Sequence, residues 1–185
     1  KPISKDENVV SEAVKPKRAF RPISGVTKLL YRDPYTGHFG GLIEQGANRL
    51  VQRHGDQSWT MNPDSSLIHD QTGKRVLTAD MYESIRTLPF TAANQEALLS
   101  NVADVQIIEN DQIVRAYRRE RISIFKDHLA MAQGFRIPLD EVQYTGLERN
   151  NKIWILTPSK RVIATFKYEG SVRAWQDILN RIIPE

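Results

Sequence analysis

The sequence predicts an α+β fold: an N-terminal antiparallel β meander followed by helices packed on a small antiparallel sheet. Three observations carry this. Turn clusters recur at short intervals between Val26 and Leu77. After Thr78 the spacing of apolar residues lengthens toward three and four, the helical period. Two β-rich runs around Pro158-Ser159-Lys160 then precede an amphipathic C-terminal stretch.

Residues 1–24 hold three prolines, few large apolar residues and no periodicity, and read as a disordered basic tail or linker. Within them "KPKRAFRP" (Lys15–Pro22) is either a docking arm or a solvated linker. The β-meander region, 25–78, contains the runs "VTKLLY", "HFGGLIE", "RLVQR", "SWTM", "SLIH" and "KRVL". Each has strand length, and the short loops between them require antiparallel neighbours. A competing helix over "GGLIEQGANRLVQRHG" is opposed by Gly40, Gly41 and Gly46, since each glycine costs a helix about 1 kcal/mol. "DPYTG" (Asp33–Gly37) and "DQTG" (Asp70–Gly73) repeat one turn device. Asp starts the turn through its own backbone, and Gly takes the left-handed position that closes it.

The third region, 79–185, is α+β, and 185 residues do not require it to have a core separate from the meander. "TADMYESIRTLPF" predicts a helix capped by Thr78, and "TAANQEALLSNV" a second capped by Thr91. "VQIIENDQIVRAY" predicts a hairpin around Asn110-Asp111, or a strand running into the next helix. That next helix is expected over Ala116–Gln133, from the stripe Ile122, Phe125, Leu129 and Ala132, with Gly134 ending it. A short strand is expected over Val142–Thr145, then a hairpin over "KIWILTPSKRVIATFKY". Ser171 caps a closing helix that buries Val172, Trp175, Ile178, Leu179 and Ile182.

Composition narrows the function. The chain has no cysteine, which excludes disulfides, thiol nucleophiles and cysteine-ligated metals. No apolar run is long enough to span a bilayer as a helix, and no signal-peptide pattern opens the chain. It starts at Lys1 rather than Met, which reads as a fragment or processed product, and no compartment follows. The net charge of +4 is unevenly spread: residues 1–28, 29–111 and 112–185 carry balances of +4, −5 and +5. Such a chain either neutralises itself on folding or presents a basic face to an acidic partner.

"YRDPYTGHFGG" (Tyr31–Gly41) has neither Walker nor Rossmann spacing, so its glycines read as turn geometry. His38, His54 and His69 lie near Asp33, Asp56, Asp64 and Asp70, but no two histidines are spaced as a local ligand pair, and no metal or cofactor is expected. No Ser sits in a Gly-x-Ser-x-Gly elbow. A ribonuclease-like set would draw on His128, Glu141, Tyr144 and Arg161. "LPFTAAN" (Leu88–Asn94) resembles the Pro-Phe-x-x-small-Asn core of the Fic-type AMP transferase signature over seven residues. Leu88 stands where that family has its histidine, and Gln95-Glu96 replace its Gly-Arg, so no residue role carries over.

The binding candidates are basic. "RAYRRERISIFKDH" supplies Arg115, Arg118, Arg119, Arg121 and Lys126, with Tyr117 available to stack. Lys160 and Arg161 on the later hairpin extend the set, and Lys152 and Lys167 on the same hairpin could add to a phosphate-contacting surface. The expected function is a non-catalytic interaction module of a larger polypeptide, whose partner is a protein or the rest of that polypeptide. The Asp-Pro-x-Thr-Gly meander is similar in style to β-rich segments of large bacterial secreted toxins and effectors. The alternative is a domain acting on nucleic acid, a nuclease-like toxin or an RNA/DNA-binding module, through the basic C-terminal half.

Overall fold

The structure, a computed structural model, describes residues 22–90, 96–149 and 151–183. Among the described residues the chain is mostly β, with two antiparallel sheets and a few short helices. The expected tail falls almost wholly outside them, as does the proposed cap at Thr91.

The first sheet runs in chain order: β1 (Leu42–Gln45), β2 (Arg49–Gln52), β3 (Ser58–Met61), β4 (Ser66–His69) and β5 (Arg75–Leu77). Five of the six expected runs thus contain a strand, and the competing helix over residues 40–55 is replaced by the β1–β2 hairpin. The sixth run, "VTKLLY", is instead the single helical turn α1 (Val26–Leu29). Its burial explains the difference: Ile23, Val26 and Leu30 all enter the core, at spacings of three and four. Helix α2 (Thr78–Arg86) follows β5 and contributes Met81 and Ile85 to the same core as Leu50, Trp59 and Leu67. Its N-cap is Leu77, not Thr78, because the Thr78 hydroxyl donates instead to the Ser65 carbonyl.

The two Thr-Gly turns have one hydrogen-bond pattern, offset by one residue from the expected match. Asp33 N–H donates to His38 O at 3.0 Å and Gly37 N–H to Asp33 O at 2.8 Å. His69 N–H donates to Lys74 O at 2.9 Å and Gly73 N–H to His69 O at 2.8 Å. So His69, not Asp70, is the equivalent of Asp33. Asp33 Oδ1 accepts from Tyr35 and Thr36 N–H, and His69 Nδ1 accepts from Thr72 N–H. Gly37 and Gly73 take φ of 72° and 67°. The first turn is flanked by the lone bridge Arg32–Phe39 rather than by full strands.

The second sheet has seven strands in the order β10-β11-β12-β6-β7-β8-β9. They are β6 (Leu99–Glu109), β7 (Gln112–Ile124), β8 (His128–Met131), β9 (Arg136–Pro138), β10 (Tyr144–Glu148), β11 (Lys152–Leu156) and β12 (Arg161–Thr165). The expected helix over Ala116–Gln133 is absent; β7, a turn and β8 stand there, and Gly134 sits at φ 83° in the β8–β9 turn. Ile122 and Ile124, then Leu129 and Met131, are buried with period two. Pairing with β6 overrides the helix propensity of the arginines and glutamate. The helix expected from Thr91 is corrected in its C-terminal part, where Leu99 begins β6. Asn110 and Asp111, both at positive φ, form the tight β6–β7 turn as the sequence predicts.

The edge strands β9 and β10 are joined by only five residues, Leu139–Gln143, which include a 3-10 turn over Leu139–Glu141. Seven strands laid flat would part the edges by about 29 Å, whereas this connection reaches at most about 22 Å. The sheet therefore curls around its core. A residual cavity of about 30 Å³ inside is lined from both ends of the sheet, by Leu129 and Ile137 as well as Ile155 and Val162. Helix α3 (Val172–Ile182), capped by Ser171 Oγ, buries Val172, Trp175, Ile178 and Leu179 against this core. Trp175 Nε1 donates to Asn101 Oδ1 at 2.9 Å. The other face of α3 meets the first sheet's helices: Arg181 donates to the carbonyls of Arg86 and Leu88, each at 2.9 Å.

Candidate functional site

Five of the eight candidate binding residues, Arg115, Tyr117, Arg118, Arg119 and Arg121, lie on strand β7 rather than on a helix. Their faces therefore alternate. Arg115 and Tyr117 sit opposite Ile107 and Val105, on the inner side of the sheet, and Tyr117 packs partly against the core. Arg121 sits opposite Val102, on the outer side.

Arg118 and Arg119 together oppose Asp104, where the register shifts. Arg119 takes φ of 52°, and its N–H donates to Asp104 Oδ1 at 3.1 Å. Its guanidinium lies 4.8 Å from the Tyr168 ring centroid. Lys167 Nζ reaches Asp104 Oδ2 at 2.7 Å. The Lys167 ammonium, and then the Arg119 N–H, hold the Asp104 carboxyl below the usual carboxylate range.

The remaining candidates separate. Lys126 is exposed in the β7–β8 turn. Lys160 covers the Phe135 ring at 5.2 Å and lines, with Arg115 and Glu109, a surface hollow of about 320 Å³. Arg161 opposes Ile108 on the outer face and reaches Asp111 at 3.6 Å, while its buried Nε has no hydrogen-bond partner among the described residues. So the basic set is not one face. It brackets the β6–β7 hairpin from both sides.

What unites it is the margin of β7. Strand β8 pairs with Ile122–Ile124, and just past it Ala132 N–H donates to Arg121 O at 3.2 Å. From Gln112 to Glu120, nine residues of β7 have no neighbouring strand on that side among the described residues. Phe166 N–H donates to Asn151 O at 2.7 Å, so alternation turns Thr165 and Arg161 toward β6, Val105 and Ile107 toward β7, and their partners Tyr117 and Arg115 toward β6. The backbone N–H and C=O of Ala116, and of Arg118 before the bulge, turn outward. Arg115, Arg118 and Arg121 make no ion pair among the described residues. Glu120, the one acidic residue of β7, is buried and accepts from Gln133.

Sequence reasoning missed Asp104 and Tyr168, which with Lys167 complete the surface around Arg119. It also missed Trp154, which pairs on the outer face with Tyr144, their ring centroids 5.1 Å apart. Gly146 makes room for that pair: a Cβ there would lie 2.6 Å from the Trp154 ring. The alternation in "KIWIL" was the available signal, since it puts Trp154 opposite in sense to Ile153 and Ile155.

Two of the histidines, His69 and His128, serve local structure. His69 Nε2 bonds Gln57 Oε1 at 2.7 Å, and its ring meets Trp59 edge-on. His128 stacks on Phe125 at 4.4 Å and bonds Asp127 at 2.5 Å. Among the described residues no three His, Asp or Glu side chains gather as a metal site, and no helix is long and apolar enough to cross a membrane. His128, Glu141, Tyr144 and Arg161 share no hydrogen bond or ion pair with one another among the described residues. A cleft of about 480 Å³ lies between the two sheets and is lined by Lys28, Tyr31, Arg53, Asn101 and Lys167. No protein-family model and no curated protein matches the chain.

Proposed function

We propose that the chain is a non-catalytic interaction module that engages a partner protein along the β7 margin of the curled sheet. The observation that supports this is the nine-residue open edge, bearing arginines that no carboxylate of the described residues neutralises. Open edges are templates for pairing, and an uncompensated basic margin attracts acidic partners and speeds their encounter. The test is fluorescence anisotropy with a labelled acidic polypeptide at low and moderate salt. Binding should be saturable, and Arg118→Glu with Arg121→Glu should weaken it about tenfold or more. Binding that ignores these reversals would count against the reading.

A second reading, nucleic-acid binding, draws on the outer face of the same sheet. Tyr144 is 56% exposed there beside Trp154, and register places Leu156, Arg161, Ile108 and Ile113 in one row with Tyr144. Aromatic rings flanked by arginines suit stacked bases and their phosphates. An oligothymidylate that bound tighter than the acidic polypeptide, with a steep salt dependence, would favour this reading.

A further inference from the structure

Resting on the reading of β7 as a protein-docking margin, we infer that the partner supplies an extended segment, acidic residues alternating with apolar ones, that joins the open edge of β7 as an added strand. The edge sets the geometry. Gln112–Glu120 is long enough, at about 3.4 Å per residue, to seat a strand of ordinary length. Ala116 and Arg118 turn both N–H and C=O outward, so the occupant must donate as well as accept, at strand spacing. A polyphosphate accepts but offers no such donors, whereas a peptide backbone offers both.

Charge fixes the side chains. Arg118 and Arg119 stand at the bulge opposite outer-facing Asp104, and Arg121, one residue past the open edge, follows on the same outer side. On an added strand every second residue faces the same way and meets them, so these positions are acidic. The intervening residues fall on the inner side, beside half-buried Tyr117 and the aliphatic stem of Arg115, and are apolar. A second copy of this chain fits less well, because β7 against β7 would set arginines beside arginines. The arginines and the bulge at Arg119 thus exclude self-pairing while admitting an acidic strand.

The experiment titrates the full chain with a fluorescein-labelled ten-residue peptide of alternating Glu and Val, and with the same peptide N-methylated at every residue. N-methylation keeps every charge and removes the donors needed for pairing. A ten-nucleotide oligothymidylate is the third probe. The expected result is saturable binding of the plain peptide, weakened about tenfold or more by N-methylation. Ala116→Pro, which deletes one outward N–H at an edge position where proline is tolerated, should weaken the plain peptide similarly. Equal binding of the two peptides overturns strand addition but leaves the interaction reading standing. Failure of both peptides while the oligonucleotide binds, or failure of all three, overturns both. The N-methylated arm decides even if Ala116→Pro does not fold.

Discussion

Tyr31 Oη donates to Asp177 Oδ2 at 2.8 Å, across 146 positions of sequence. Tyr82 Oη donates to the same oxygen at 2.8 Å. One carboxylate on α3 thereby ties α2 and the segment just after α1 to the helix that closes the second sheet. Burial, and then the bond to Asp177, push the Tyr31 hydroxyl well above its ordinary range, and Tyr82 moves the same way. A phenol raised in the folded state contributes its full stabilisation while the unfolded phenol is protonated, below about pH 10. That contribution is lost as pH rises further. Tyr31→Phe should therefore cost about 1–3 kcal/mol at pH 7, as for a hydrogen bond to a charged group. It should also flatten the alkaline fall in stability. Urea denaturation at pH 7 and pH 10.5 measures both effects.

The two Thr-Gly turns make a paired prediction. A Cβ at Gly73 would meet nothing within 4 Å, so Gly73→Ala should lose only the cost of positive φ, about 1–2 kcal/mol. At Gly37 a Cβ would lie 3.1 Å from Arg32 Nη2. Arg32 is buried and gives its guanidinium to the carbonyls of Gly37, Leu88 and Pro89. Gly37→Ala should therefore destabilise more than Gly73→Ala in the same denaturation assay, and equal losses would contradict the role given to Arg32.

On the acid side, Asp70 accepts from Ser58 Oγ at 2.6 Å, Thr60 Oγ1 at 2.9 Å and Arg49 Nε at 3.2 Å. These bonds, led by that from Ser58, lower its pKa, as Lys167 does for Asp104. A depressed carboxyl stabilises above its unfolded value, about 3.9, and that stabilisation disappears as pH falls through the folded value. Thermal unfolding followed from pH 5 to pH 2.5 should show falling stability, less steeply in Asp70→Asn.

The arginines of β7 are also expected to keep the edge from pairing with itself. Arg118→Val with Arg121→Val leaves a less charged, β-branched margin beside Ile113 and Val114, which are 57% and 48% exposed. This variant should self-associate in sedimentation velocity at concentrations where the wild-type chain does not.

Much of this architecture can be read in the sequence where local chemistry and tertiary packing agree. Asn110-Asp111, Pro158–Lys160 and the Ser171-capped helix are such places. It is misread where they compete. "RRERISIFKDHLAMAQ" offers both a helical stripe and, through Ile122-Ser123-Ile124, a period of two broken by the turn at Lys126-Asp127; β6 decides between them, and β6 lies outside any local window. The basic residues of the site are legible as a composition. Their arrangement is not, because a strand splits between two faces what a helix would gather on one. Asp104 and Tyr168 join Arg119 only through the pairing of β12 with β6 and of β6 with β7.

Residue-resolved amide exchange along β7 tests the open edge most directly. The account predicts alternation in the free chain: slow exchange at Arg115 and Tyr117, which face β6, and fast exchange at Ala116 and Arg118, which face solvent. The two fast amides should slow on addition of the alternating Glu-Val peptide. Uniform protection from Gln112 to Glu120 in the free chain, or uniformly fast exchange there, would contradict it.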